Sequence, residues 1–189
     1  MNALARPPVA ATALPFGGFT SADYLQIIDT QAFGELRVEL VGGVLEKMMP
    51  SNLTHGECNV TVAVLLSQAY AGTGARIGSD VIIEIDGLTV RAADVVVTKP
   101  GFAGQRQTRG EDLLLAVEIA ASTLARDISK AADYARALIP VYWVVDLGTE
   151  TVTVMTGPGP DGYAGRKIVR FDEQLTVPET GKEIVIAAA

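Results

Sequence analysis

Two carboxylates stand where the chain has least reason to carry charge. Asp94 opens the apolar run Val95-Val96-Val97, and Glu118 lies inside Leu113-Leu114-Leu115-Ala116-Val117-Glu118-Ile119. A carboxylate in a strand buried on both faces is costly unless a metal ion or a lysine neutralises it. If these two strands pair, both carboxylates reach one face at one end. Adjacent carboxylates form a hard-oxygen site suited to Mg2+ or Mn2+, which retain water and take phosphate oxygens. Such an ion lowers the pKa of bound water and stabilises a leaving oxygen, so the chemistry expected is phosphodiester hydrolysis. Ala120, which follows on the face of Glu118, contributes nothing. The cation expected to complete the set is Lys130, early in the next helix. Asp127 lies one turn before it and Tyr134 one turn after.

The elements that must carry these residues are legible in outline. Thr20-Ser21-Ala22-Asp23 caps a short helix with Tyr24, Leu25, Ile27 and Ile28. Strands are expected at 37–40 and 44–48, turned by Gly42-Gly43. A helix is expected from Thr54 to about Tyr70, with Val60, Val64, Leu65, Leu66 and Ala69 at helical spacing. Four strands follow, at 81–85, 93–97, 113–119 and 141–145. The last two are near-continuous apolar runs, as in central strands buried on both faces. A helix from Asp127 to about Leu138 separates them, and its apolar stripe is Ile128, Ala131, Ala132, Ala135 and Leu138. Lys130, Asp127 and Tyr134 border that stripe. Strands are expected again at 151–155, 167–171 and 183–186, with a turn across Gly157–Gly162. The fold class is α/β (α+β), one mixed sheet flanked by helices with extra hairpins near both ends. Residues 1–18 read as a flexible tail and 19–189 as one domain.

Composition bounds the rest. The 189 residues carry a formal charge of -7, which disfavours a broad basic groove gripping nucleic acid by charge alone. A single cysteine, Cys58, excludes an internal disulfide framework and fits a reducing, cytoplasmic setting. Cys58 lies in an apolar stretch and reads as a core residue. No apolar run approaches the roughly 20 residues needed to span a membrane.

The order of Asp94, Glu118 and Lys130 resembles the PD-(D/E)XK restriction-endonuclease-like superfamily, and its Uma-two branch most closely. The segment from Glu118-Ile119-Ala120-Ala121-Ser122-Thr123 through Asp127, Lys130 and Tyr134 to Val141-Tyr142-Trp143-Val144-Val145-Asp146 carries most of the likeness. Arg91-Ala92-Ala93-Asp94-Val95, Glu39-Leu40-Val41-Gly42-Gly43 and Pro50-Ser51 with His55 add to it, so that it covers residues 19–175. Departures are Ala93 in place of the usual proline, Gly42 in place of a common aspartate, small residues at Ala120 and Ala121, and a shifted Pro140. The resemblance implies a metal-dependent endonuclease with Asp94, Glu118 and the backbone carbonyl of Ile119 as metal ligands. It implies that Lys130 orients the attacking water, that Glu39 is an outer acidic residue and that His55 faces the same cleft.

The loop from Lys99 to Gly110 carries Lys99, Arg106 and Arg109 and no acid. It reads as a basic flap contacting phosphates, or as an ordinary polar loop. Two functions remain open: a DNA nuclease, expected to be a homodimer because cutting both strands of a duplex often uses two sites, and a non-catalytic domain of this fold serving dimerisation or protein binding.

Overall fold

Thr20 starts the first helix, α1 (Ser21–Asp29), through a reciprocal cap in which its hydroxyl oxygen accepts the Asp23 N–H and Asp23 accepts the Thr20 N–H. The computed structural model describes residues 17–48, 52–104, 107–121 and 124–187. The expected tail therefore lies outside the described residues except for Gly17 and Gly18, and so do Arg106, Pro50-Ser51 and Ser122-Thr123.

The chain continues through β1 (Val38–Val41), β2 (Val44–Lys47), α2 (Leu53–Ala69), β3 (Ile77–Asp86), β4 (Thr89–Thr98) and β5 (Thr108–Arg109). A 3-10 turn at Gly110–Asp112 leads into β6 (Leu113–Ala120), α3 (Leu124–Arg136) and β7 (Val141–Asp146). The hairpin β8 (Thr151–Gly159) and β9 (Gly162–Arg170) and the short pair β10 (Leu175–Thr176) and β11 (Glu183–Ile184) follow. The main sheet runs β2-β1-β4-β6-β7-β8-β9, with β3 on β4 and β5 on β3. Among the described residues only β6–β7 and β3–β5 are parallel; α3 is the crossover between β6 and β7. This is the mixed sheet with flanking helices that the sequence implies.

Both faces of β6 and β7 are covered, which is why their sequences are apolar throughout. On one face Val62 and Leu66 of α2 meet Val95, Val117, Ile119, Trp143 and Val145. On the other, Tyr134 of α3 meets Val96, Ala116, Ala120, Tyr142 and Val144. A third cluster, of Tyr24, Leu40 and Val90, joins α1 and the β1–β2 hairpin to the tip of the β3–β4 hairpin. Ser21 N–H to Gly87 O and Gly43 N–H to Leu88 O fasten the two together.

Several local expectations fail for identifiable reasons. α2 turns Asn59, Val62, Leu66 and Ala69 inward and leaves Val60 and Val64 exposed, because apolar residues surround this helix and do not single out one face. The inward face of α3 is Asp127, Lys130, Tyr134 and Ala135; Ala135 belongs to the expected apolar stripe, and the other three are the residues expected only to border it. Leu138 lies beyond the end of that helix, at φ +60°, and is exposed; Ile139 fills the core in its place. β3 starts at Ile77, since Gly78-Ser79-Asp80 forms strand and not turn; Asp80 takes φ +53° between the pairs Ser79–Val95 and Val81–Ala93. The β8–β9 turn is only Pro160-Asp161, and both strands run through the glycines on either side.

Candidate active site

β4 is paired along nearly its whole length by β3. Its other edge is shared by two strands that do not meet: β1 touches it at Val90, opposite Leu40, and β6 begins at Val95, opposite Val117. Residues 91–94 therefore face a gap in the sheet. Buried backbone groups need partners, and charged side chains supply them. The Ala92 N–H donates to Glu39 Oε1 at 3.0 Å, Lys130 Nζ donates to the Ala92 carbonyl at 3.3 Å, and the Ile119 N–H donates to Asp94 Oδ2 at 2.7 Å.

Asp94 and Glu118 thus lie on either side of the fork where β4 and β6 separate. The Asp94 carbonyl accepts Asn59 Nδ2 from α2, and His55 of the same helix places Nε2 3.2 Å from Asp94 Oδ2. That hydrogen bond raises the His55 pKa against the opposing effect of burial. Glu118 is 3% exposed, and its Oε1 accepts from Lys130 Nζ at 2.9 Å and from the Tyr134 hydroxyl at 2.7 Å. Burial pushes its pKa up to about 8, helped by nearby Asp94 and opposed by Lys130. Lys130 is 2% exposed and bridges Glu118 to Glu39, 3.1 Å away. Burial disfavours its ammonium, but Glu118 and Glu39 outweigh that and raise its pKa. Glu39 is fully buried; Lys130, the Ala92 N–H and Arg91 overcome that burial and lower its pKa.

Arg91 and Arg126 complete the cluster. Arg91 spans Glu39 Oε2 at 3.1 Å and Asp133 at 2.6 Å, and Arg126 Nη2 reaches Glu39 Oε2 at 2.8 Å. Neither stands out as a site residue in the sequence. The spacing Arg126, Lys130, Tyr134 is a helical i, i+4 series and could have revealed Arg126. Asp127 is buried beside this cluster, near enough to influence the pKa values of Glu118 and His55, and its carbonyl accepts the Tyr142 hydroxyl. The expected Asp94, Glu118, Lys130, Glu39, His55, Asp127 and Tyr134 therefore come together.

The basic loop behaves differently. Arg109 pairs with Glu84, and Gln107 donates to the Ile82 carbonyl, so this end of the loop is fastened to β3. Gly110 packs against the Ala137 carbonyl at the end of α3. Lys99 is exposed, and no contact joins Lys99 or Arg109 to Asp94 or Glu118 among the described residues. Cys58 packs against the core, and burial raises its thiol pKa to about 11, which disfavours the thiolate and fits a packing role.

The donor set suits a cation completed by water and substrate. Among the described residues, no three His, Cys, Asp or Glu side chains form a ready cation cage. Asp94 Oδ1 and Glu118 Oε2, however, lack hydrogen-bond partners among the described residues. Two carboxylates with phosphate and water as remaining ligands is the usual Mg2+ arrangement.

No helix of the described residues is long and apolar enough to cross a membrane. No curated protein matches the chain. The fold is similar to a crystal structure described as "a putative nuclease belonging to DUF820 from Anabaena variabilis ATCC 29413". The TM-score is 0.68 and the identity 14%, over 90% of this chain and 95% of that one. The gap in the sheet, with its two carboxylates and buried lysine, lies in a chain whose residues 21–189 match the Uma2 family, described as "Putative restriction endonuclease", and the chain belongs to that family.

Proposed function

We propose that this protein is a nuclease that hydrolyses DNA phosphodiester bonds with Mg2+ or Mn2+. The observation that carries the reading is the pair of carboxylates at the fork, each with one unpartnered oxygen, beside a lysine fixed by two ion pairs. Asp94 and Glu118 hold the metal, with the Ile119 carbonyl beside them. A bound Mg2+ lowers the pKa of the attacking water and stabilises the leaving oxygen. Lys130 and Tyr134 fix the Glu118 carboxylate through Oε1, which leaves Oε2 for the metal. Lys130 also sets a positive charge beside the phosphate, and Glu39 holds that ammonium in place. His55 orients Asp94. Asp127 adds negative charge that favours a cation, and Lys99 and Arg109 contact nucleic acid away from the cut. Two chains, each cutting one strand, make the functional homodimer in the cytoplasm.

The test pairs cleavage with binding. Plasmid and single- and double-stranded oligonucleotides are incubated with the wild type, Asp94→Asn and Glu118→Gln in Mg2+ or Mn2+, and Mn2+ binding is measured by calorimetry. Metal-dependent cleavage and Mn2+ binding that both substitutions abolish are expected. A wild type that binds no Mn2+, even with an oligonucleotide present, overturns the reading in favour of a non-catalytic domain serving dimerisation or protein binding.

A further inference from the structure

Three cations surround the Glu39 carboxylate, and they are not equivalent. Lys130 takes Oε1 and is 2% exposed; Arg91 shares Oε2 and is 8% exposed at its side chain, with Asp133 as a second partner. Arg126 also takes Oε2, yet its side chain is 30% exposed. It spends a single Nη2 hydrogen on Glu39, and its Nη1 and Nε have no partner among the described residues. A guanidinium carries five N–H donors in a planar fork matched to two oxygens of a phosphate. Here one corner is pinned by a buried acid and most of the fork still lacks an acceptor.

Its position links that fork to the carboxylates. The Glu39 carboxylate lies between Arg126 and Lys130, and Lys130 contacts Glu118 directly. Arg126 is also one turn before Lys130 on α3 and adjacent in sequence to Asp127, which influences both Glu118 and His55. It is therefore the outward-facing cation of the cluster, whereas Lys130 and Arg91 are its buried ones.

We infer that Arg126 is a substrate-binding residue that grips a backbone phosphate of the nucleic acid through its unpaired guanidinium edge, with Glu39 as the residue that positions it. The inference rests on the nuclease reading and adds a phosphate subsite to it. Holding one end of the fork in advance reduces the side-chain ordering that binding must supply. It also gives an acidic protein a local cationic contact at the site itself, where its overall charge would otherwise repel the backbone.

The test is fluorescence anisotropy with a labelled single-stranded oligonucleotide and its duplex. Ca2+ replaces Mg2+ to suppress cleavage, over a series of salt concentrations. Arg126→Gln is expected to weaken binding about tenfold or more and to reduce the slope of log affinity against log salt by about one. Arg126→Lys, which keeps the charge but not the fork, is expected to retain the slope and lose a few-fold in affinity. If Arg126→Gln melts well below the wild type, Arg126→Lys decides alone. Unchanged affinity and slope in a folded Arg126→Gln, or unchanged affinity in Arg126→Lys where that variant decides, overturns the subsite and leaves the nuclease reading standing. A wild type that binds neither probe with Ca2+, Mg2+ or Mn2+ overturns both.

Discussion

Replacing Lys130 with methionine tests the buried charge cluster directly. The substitution keeps the length of the side chain and removes the ammonium that contacts Glu118 at 2.9 Å, Glu39 at 3.1 Å and the Ala92 carbonyl at 3.3 Å. Glu39 retains Arg91, Arg126 and the Ala92 N–H, while Glu118 retains, among the described residues, only the Tyr134 hydroxyl. Removing one partner of a buried pair costs about 3–5 kcal/mol. For a chain of this length, that lowers the melting temperature by about 6–20 °C. The cost depends on pH with a definite sign. Glu118 already has a pKa raised to about 8, and losing Lys130 raises it further. A carboxyl whose folded pKa exceeds its unfolded value favours the folded state while protonated, and stability falls as pH rises from the unfolded pKa toward the folded one. Above about pH 8 the wild type ionises Glu118 against Lys130, whereas the variant must ionise it alone or keep it protonated. The loss is therefore larger at about pH 9 than at about pH 6. Metal-free thermal melts of both proteins at these two values measure it. A loss below about 1 kcal/mol at both would place the Lys130 ammonium in solvent and refute the account of the gap.

Two further substitutions probe separate contacts. Tyr134→Phe deletes the 2.7 Å donor to Glu118 Oε1 and is expected to cost about 1.5–3 kcal/mol above about pH 8, less below it, and to move Mn2+ binding to higher pH; equal losses across pH would show that the hydroxyl does not serve the ionised carboxylate. Gly110→Ala places a Cβ 2.0 Å from the Ala137 carbonyl oxygen and is expected to destabilise by about 1–3 kcal/mol in urea denaturation, whereas Gly87→Ala, with nothing within 4 Å, is the control; similar losses in both would remove the argument from close approach.

Asp94 and Glu118 were legible because a charge inside an apolar strand is expensive, and the expense is visible without neighbours. The burial of Lys130 was not. Apolar periodicity identifies the inward face of a helix only when that face is held by apolar contacts, and α3 is held at this point by ion pairs and the Tyr134 hydroxyl. Of the apolar stripe, Ala132 of this helix and Leu138 just beyond it are solvent-facing while Ala135 is buried, so the periodic signal points only in part toward the site. Arg91 and Arg126 were hidden for a different reason, and Glu39 is reached only through the family resemblance. Their roles follow from the missing strand neighbour of residues 91–94, and which strands border a gap is a property of the whole sheet. The sheet itself was anticipated from β4, β6 and β7, whose composition records burial on both faces. The start of β3 was missed because Gly78-Ser79-Asp80 has turn composition, and Asp80 does adopt a turn-like conformation within the strand.

The gap also divides the molecule mechanically. α1, β1 and β2 have their own small cluster around Tyr24, Leu40 and Val90 and attach to the tip of the β3–β4 hairpin, while β6 and β7 belong to the double-sided core. Across the gap, the ion pairs of Glu39 with Lys130 and Arg126 take the place of a continuous ladder. Segments with few buried contacts open locally before the rest. Opening of this amino-terminal unit would withdraw Glu39, free Arg126 and leave Lys130 to Glu118 and the Ala92 carbonyl, loosening the cluster while the central strands stay folded. The protein could therefore lose the Glu39-centred arrangement at temperatures or salt concentrations where its global melting transition has not begun.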